Sequence, residues 1–372
     1  MTQTKLYFQV LELLEEYQIL GNLSNRKFLS LYLLSLIKVR KVQFCEVGSV
    51  LNDSVLDKSN EARIAYFFRN VSVDYDSCAL FLSSIFPAHQ KLDIIIDRTT
   101  WSFGNKTWNI LMVLAYNRKF SLPLYWEFLD NQGGNSDSKV RITVLEKVVN
   151  LLGKHRIAMV LGDREFVGHE WFKYLKNEGL DFCFRIPKHH KVSRSDEDFN
   201  LLENTVSDLW QPRQGNIYLE DAMVDKVWGA VAILPAEQED FSYLFGTKNA
   251  RALNYYYKRR WKIEDFFEQL KSRGFDLEST RIKKTERLSK LLACLSLSYA
   301  ICIMAGMYYK LKVQKIKTKK HGRKSNSIFR KGLNLIRDAC KGIGIILEKI
   351  QVALRYFRRN RYRIKKTMCL ME

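Results

Sequence analysis

The stretch from Leu92 to Ile186 constrains the fold more than any other part of this 372-residue chain, because it carries three strand-like runs in succession and then alternates helix and strand. LDIIID (92–97), NILMVLAY (109–116) and KFSLPLYWEFL (119–129) are short β-rich runs broken by Gly104, Asn105, Asn117 and Arg118. Closely spaced runs of this kind predict hairpins and an antiparallel sheet portion. VRITVLEKVVNLLGK (140–154) then has helical spacing, IAMVLGD (157–163) reads as a buried strand, GHEWFKYLKNEG (168–179) as a helix and LDFCFRI (180–186) as another strand. Helical crossovers of this length add strands in parallel.

The flanking segments differ in period. Residues 1–88 space apolar groups three and four apart, as in VLELLEEYQIL and SNEARIAYFFRNV, which predicts four or so short helices closed by Pro87. Residues 187–247 hold strand-like NIYLEDAMV, VWGAVAIL and FSYLFG between polar loops, and the chain from Asn249 is helical again. The expected organisation is a helical domain (1–88), a core in two parts (89–186 and 249–310) interrupted by a β-rich insertion (187–248), and a basic helical region (311–372). The order β-β-β-α-β-α-β-α of the core is that of an RNase H-like α/β sheet.

Charge is unevenly placed. Of a net +21, the segment from Lys310 onward carries +17, with 20 Lys or Arg against Asp338, Glu348 and Glu372. Such density suits a polyanionic partner, although a solubilising tail has the same composition. The seven cysteines are scattered and never spaced as C-x-x-C, so neither a disulfide framework nor a zinc knuckle is expected. The first residues, MTQTKLYFQVLELLEEYQ, lack a signal-peptide core, which makes the cytoplasm the expected compartment. Leu291–Tyr309 runs 19 residues without a charge, close to the length that spans a bilayer. Basic residues on both sides (Arg287, Lys290, Lys310, Lys312) and the polar or small Ser296, Ser298 and Gly306 favour a helix buried between layers, so no membrane is expected.

Asp97 and Asp163 each close an aliphatic run. A carboxylate at the C-terminal edge of a buried strand sits where open α/β sheets place ligands, although many such residues only cap the next turn. Two neighbouring strands ending in carboxylates bring like charges together, and divalent metal offsets that repulsion most simply. Tyr257, Arg260, Glu264 and Lys271 follow at offsets that share one face of a continuous helix, with Ile263, Phe266, Phe267 and Leu270 toward the core. A solvated charged face would look the same, and Glu268 offers an alternative carboxylate.

Together these residues resemble the DDE transposases of bacterial insertion sequences, in the branch defined by Y-x2-R-x3-E-x6-K (the insertion sequence four family, cut-and-paste type). Tyr257, Arg260, Glu264 and Lys271 match that signature, Asp97 in IIIDRTTW and Asp163 in VLGDREF are similar to its two earlier acidic motifs, and KKHGRKS (319–325) to its C-terminal segment. The resemblance implies that Asp97, Asp163 and Glu264 are catalytic and hold two Mg2+ ions, with Mn2+ as substitute. It implies phosphate contacts from Tyr257, Arg260 and Lys271, base stacking by Trp210 or Trp228, and DNA partners in the form of terminal inverted repeats and a target. It further implies a homodimer in the DNA complex, a possible end-binding role for residues 1–88, and DNA binding or dimerisation by residues 311–372. The activity implied is Mg2+-dependent strand cleavage and transfer. A metal-dependent nuclease of the same fold without strand transfer, or a non-catalytic DNA-binding relative, would share most of these residues.

Overall fold

The computed structural model describes residues 2–103, 106–129, 137–193, 199–202, 204–205, 215–236, 241–314, 316–320, 325–340 and 352. The helices are α1 (Thr2–Glu16), α2 (Leu23–Val39), α3 (Phe44–Gly48), α4 (Asp57–Asn70), α5 (Tyr75–Ser84), α6 (Ser138–Leu152), α7 (His169–Asn177), α8 (Ala250–Tyr257), α9 (Lys262–Leu270), α10 (Thr285–Tyr308) and α11 (Ile328–Cys340). The strands are β1 (Leu92–Phe103), β2 (Lys106–Tyr116), β3 (Ser121–Phe128), β4 (Ile157–Gly162), β5 (Phe182–Ile186), β6 (Lys191–Ser193), β7 (Phe199–Leu201), β8 (Ile217–Val224), β9 (Val227–Pro235) and β10 (Phe241–Gly246). Two compact units result: residues 1–88, 102–106 and 267–372 form one, and residues 89–101 and 107–266 the other.

The second unit is built on one mixed sheet of ten strands in the order β3-β2-β1-β4-β5-β10-β9-β8-β6-β7. β2 and β3 pair antiparallel, whereas β1, β4 and β5 run parallel to one another, joined through the crossovers that contain α6 and α7. The core strands explain their own burial: eight consecutive residues of β2, Trp108–Ala115, are buried, and Ile94, Ile95 and Ile96 of β1 are inaccessible. Such continuous apolar runs belong to strands covered on both faces. The first five strands in spatial order follow the RNase H-like pattern.

The β-rich segment after β5 continues the core sheet. β10 pairs antiparallel with β5, from Tyr243 opposite Ile186 to Gly246 opposite Cys183, and β9, β8, β6 and β7 continue the same sheet outward. An uncovered edge at β5 would leave a row of backbone donors and acceptors open, and β10 satisfies them. Hydrophobic period marks these strands but does not say which edge they join.

In the first unit α10 is long and apolar enough to cross a bilayer, with a window of mean hydropathy 1.9, yet 94% of that window is buried. Its covering comes from α2, α4, α5 and α11, so it is the central helix of a helical core. Two glycines permit its closest approach. A Cβ on Gly332 of α11 would overlap the Cys302 carbonyl of α10, and one on Gly306 would overlap the Ile328 carbonyl. Both obstacles are backbone. Gly332→Ala is therefore expected to destabilise the protein by about 1–3 kcal/mol, the usual scale of overpacking, despite alanine's better helix propensity. Thermal unfolding checks this: a melting temperature equal to or above the parent's would mean that α10 and α11 are not in backbone contact.

Candidate active site

β1 and β4 set the first two carboxylates level. Their parallel register pairs Ile94 with Val160 and Ile95 with Leu161. Asp97 and Asp163 each stand two residues beyond the last of these pairs, on neighbouring strands that ordinarily lie about 4.8 Å apart. Asp97 is not at the end of its strand as the sequence predicts. The β-branched and aromatic run Thr99–Phe103 extends β1, and pairing with β4 stops at Ile95, two residues before Asp97. Each carboxylate accepts from the backbone N–H that follows it, Arg98 to Asp97 and Arg164 to Asp163, at 2.8 Å in both cases.

The third carboxylate arrives on a broken helix. α8 ends at Tyr257, residues Lys258–Trp261 form a single 3-10 turn, and α9 begins at Lys262. One continuous helical face is therefore not how the motif is presented, because a 3-10 turn advances about 120° per residue. The consequence is a fan of contacts. Tyr257 Oη donates to Asp163 Oδ1 at 3.0 Å. Arg260 Nη1 donates to Asp97 Oδ2 at 2.9 Å while its Nη2 donates to Glu264 Oε1 at 2.7 Å. Glu264 lies in the first turn of α9, where the helix dipole favours an acid. Ile263, Phe266 and Leu270 are buried, as their spacing predicts, and Phe267 is half-buried.

Lys271 falls just past the end of α9 and pairs with Glu278 at 3.1 Å. Glu268, the alternative carboxylate, pairs with Arg273 at 2.8 Å. Trp228 on β9 is 41% exposed and borders a shallow pocket of about 320 Å³ with Lys176, Lys248 and Asn249. Trp210 and most of the basic C-terminal region, including the YFRRNRYRIKK run (356–366), lie outside the described residues.

Burial governs the electrostatics. It pushes the Asp97 carboxyl up to about 7, with Asp163 and Glu165 adding to the rise and Arg260 opposing it. Burial also works against the charge on Arg260, but Tyr257, Asp163, Asp97 and Glu264 together hold its pKa above the ordinary arginine value. The Tyr257 hydroxyl is raised by burial first and by Asp163 as well, so it remains a donor. Arg260 is 6% exposed at its side chain, against 15% for Asp97 and 38% for Glu264. Among the described residues no three His, Cys, Asp or Glu side chains stand close enough to hold an ion directly. The positive charge between Asp97 and Glu264 is the guanidinium of Arg260.

Asp97 and Asp163 open onto a cleft of about 790 Å³ whose lining also includes Glu165, Arg164, Arg185 and the loop Pro187–His190. Glu165, which sequence spacing does not single out, pairs with Arg98 at 2.7 Å, and burial raises its pKa. Arg141 of α6, 1% exposed, donates to the carbonyls of Glu165 at 2.7 Å and Val167 at 3.1 Å and so fixes the chain immediately after Asp163. The sequence does carry a signal for Arg141: it occupies an apolar position of α6, in helical register with the buried Val144, Leu145, Val148 and Leu152. A buried arginine on such a face needs polar partners.

The core is thus a mixed sheet whose parallel strands bring two carboxylates level, with a third joined to Asp97 through one arginine, beside a cleft lined by both acids and bases. The transposase DDE domain model matches residues 88–301, more than half of the chain, and the protein belongs to that family. The family's chemistry is polynucleotidyl transfer in DNA transposition. A piggyBac transposase synaptic complex with hairpin DNA, solved by cryo-EM, is similar at 13% identity over 91% of this chain and 75% of that one, with a TM-score of 0.45. No curated protein matches in sequence.

Proposed function

We propose that this protein is a cut-and-paste transposase of the Y-x2-R-x3-E-x6-K branch, the insertion sequence four family, cleaving DNA at the terminal inverted repeats of its element and joining the ends to a target. The observation that carries this reading is the contact fan in which Arg260 joins Asp97 to Glu264 while Tyr257 holds Asp163. Two residues of the signature thus touch all three acids.

The donor set suits a hard cation. Magnesium takes oxygen ligands, and Asp97, Asp163 and Glu264 offer carboxylates at a position already matched to positive charge by Arg260. When bound, two Mg2+ ions (or Mn2+) would supply an activated water or 3'-hydroxyl and stabilisation of the leaving oxygen. The chain's own groups do the rest. Arg260, released from the acids, presents a bidentate fork to a backbone phosphate, and Tyr257 donates to the same strand. Lys271 adds a third phosphate contact. Arg164, Arg185 and the 188–190 loop line the cleft that takes the DNA strand. Trp228, exposed beside Lys176 and Lys248, is the stacking surface for an unpaired base, with Trp210 as the other candidate. Residues 1–88 bind the element end, and the basic region from 311 binds DNA and supports a homodimer bridged by it.

A pH dependence follows from Asp97. Its folded-state pKa of about 7 lies above the ordinary carboxylate value of 3.8, so the free protein keeps a proton there that the unfolded chain has lost. Through this group the stability of the free protein falls as pH rises from about 4 to about 7. A cation entering below pH 7 must displace that proton. Mn2+ affinity, followed by electron paramagnetic resonance, is expected to rise up to about tenfold per pH unit below 7 and to flatten above it. Constant affinity from pH 5.5 to 7 would contradict this protonation of Asp97.

Incubating the protein and Mg2+ with linear DNA carrying the element's own ends, plus a supercoiled target, tests the function. The expected products are breaks at the element boundary and joined target molecules. Cleavage without joining would favour a nuclease, and binding with neither product a non-catalytic relative.

A further inference from the structure

We propose that the buried Asp93–Arg259 ion pair is a positioning device for the acid cluster, holding the turn that carries Arg260 and delivers Glu264; the idea rests on the reading of the site given above. Arg259 Nη1 donates to both carboxylate oxygens of Asp93, at 2.9 and 3.2 Å. The two side chains are 9% and 2% exposed, too enclosed to meet DNA directly. The rings of Tyr255 and Tyr256 stand 4.4 and 4.8 Å from the guanidinium and form its sides.

Placement gives the pair its meaning. Asp93 and Asp97 lie four residues apart on β1, hence on the same face and separated by about 13 Å. Arg259 and Arg260 are consecutive in the 3-10 turn, their side chains about 120° apart around its axis. One turn is thereby tied to one strand at two separate points. Tyr257 on Asp163 and Arg260 on Asp97 hold the turn at two points, and the Arg259–Asp93 contact adds a further one against the rotation that would carry Glu264 away. Stability does not account for the arrangement, because buried ion pairs are commonly no better than packed apolar side chains of the same size. Orientation is what the pair supplies and a methyl group does not. Neither residue is part of the signature motif.

Two variants test this. Asp93→Leu combined with Arg259→Met removes both charges at similar volume, so its melting temperature is expected at or above the parent's. Arg259→Lys keeps the charge and loses the planar guanidinium that lies against the Tyr255 and Tyr256 rings. Three readouts are followed in each. In metal-free protein, the guanidinium protons of Arg260, held on Asp97 and Glu264, are expected to exchange with water at least tenfold faster in the double variant, as seen by NMR. Mn2+ affinity should fall about tenfold. With element-end DNA at saturation, kcat should drop on the order of a hundredfold while the Kd for DNA is unchanged, the pattern of a misplaced reacting group. Arg259→Lys should lie between parent and double variant in all three, and it carries the test should the double variant not fold. Parental values for Arg260 exchange, Mn2+ affinity and kcat in a folded variant would overturn the positioning role. A parent protein that cleaves no element-end DNA would instead overturn the transposase reading, and Arg260 exchange would still decide the positioning claim.

Discussion

Glu264→Gln is expected to bind element-end DNA at least as tightly as the parent and to cleave it roughly a thousandfold or more slowly, a loss of about 4 kcal/mol in transition-state stabilisation. The substitution is chosen for what it keeps. Glutamine retains an oxygen that can accept from Arg260 Nη2, now 2.7 Å from Glu264 Oε1, so the turn and helix should stay in place. What disappears is one negative charge at a partly exposed position joined to Asp97 through Arg260. DNA, being anionic, gains from that loss, whereas a cation does not. Gel shift and cleavage on the same labelled fragment measure both effects. Cleavage at the parental rate would remove Glu264 from the chemistry.

Arg260→Gln is expected to fail differently, in the fold before the chemistry. Taking one partner from a buried pair leaves the other uncompensated, at a cost of about 3–5 kcal/mol. Here the uncompensated group is Asp97, whose side chain is 15% exposed. The cost should depend on pH. Asp97 titrates at about 7 in the parent, and without Arg260 its pKa moves higher still. At pH 6 the carboxyl is protonated in both proteins and the variant loses little beyond hydrogen bonds. Above pH 7 the parent gains an ionised, paired Asp97 that the variant cannot form, so the gap in stability widens. Thermal unfolding at pH 6 and pH 8 reads this directly, and an equal loss at both would show that Arg260 does not act through Asp97. Added Mg2+ should narrow the gap at pH 8.

Part of this site is legible in the amino-acid sequence. LDIIID and IAMVLGD mark buried runs that stop at an acid, and the parallel register of β1 and β4 then sets Asp97 level with Asp163. Tyr257 and Arg260 do meet the two aspartates, and Glu264 joins them through Arg260, but for a reason helical spacing does not supply. The 3-10 turn at 258–261 turns Arg260 between Asp97 and Glu264, and no residue in KRRW announces it. Arg259 escapes notice for the same cause, since on an ideal helix it leaves the face shared by the motif. Asp93 reads as a polar interruption in an aliphatic strand until its partner is seen. The sheet's second half shows a different blind spot. FSYLFG is plainly a strand, but its pairing with β5 depends on an open edge far away in sequence. Charge patterning is weaker again: the basic residues after Lys310 suggest a polyanion, and composition says nothing of their geometry.

In the proposed mechanism Asp97, Asp163 and Glu264 form one metal site, over which Arg260 presides until DNA arrives. Anomalous diffraction from crystals of the protein with element-end DNA and Mn2+ tests it most directly. Two manganese ions about 4 Å apart are expected among those three carboxylates, with the Arg260 guanidinium on a DNA phosphate. Manganese bound elsewhere, or Arg260 still bridging Asp97 and Glu264 with no ion beside them, would contradict it.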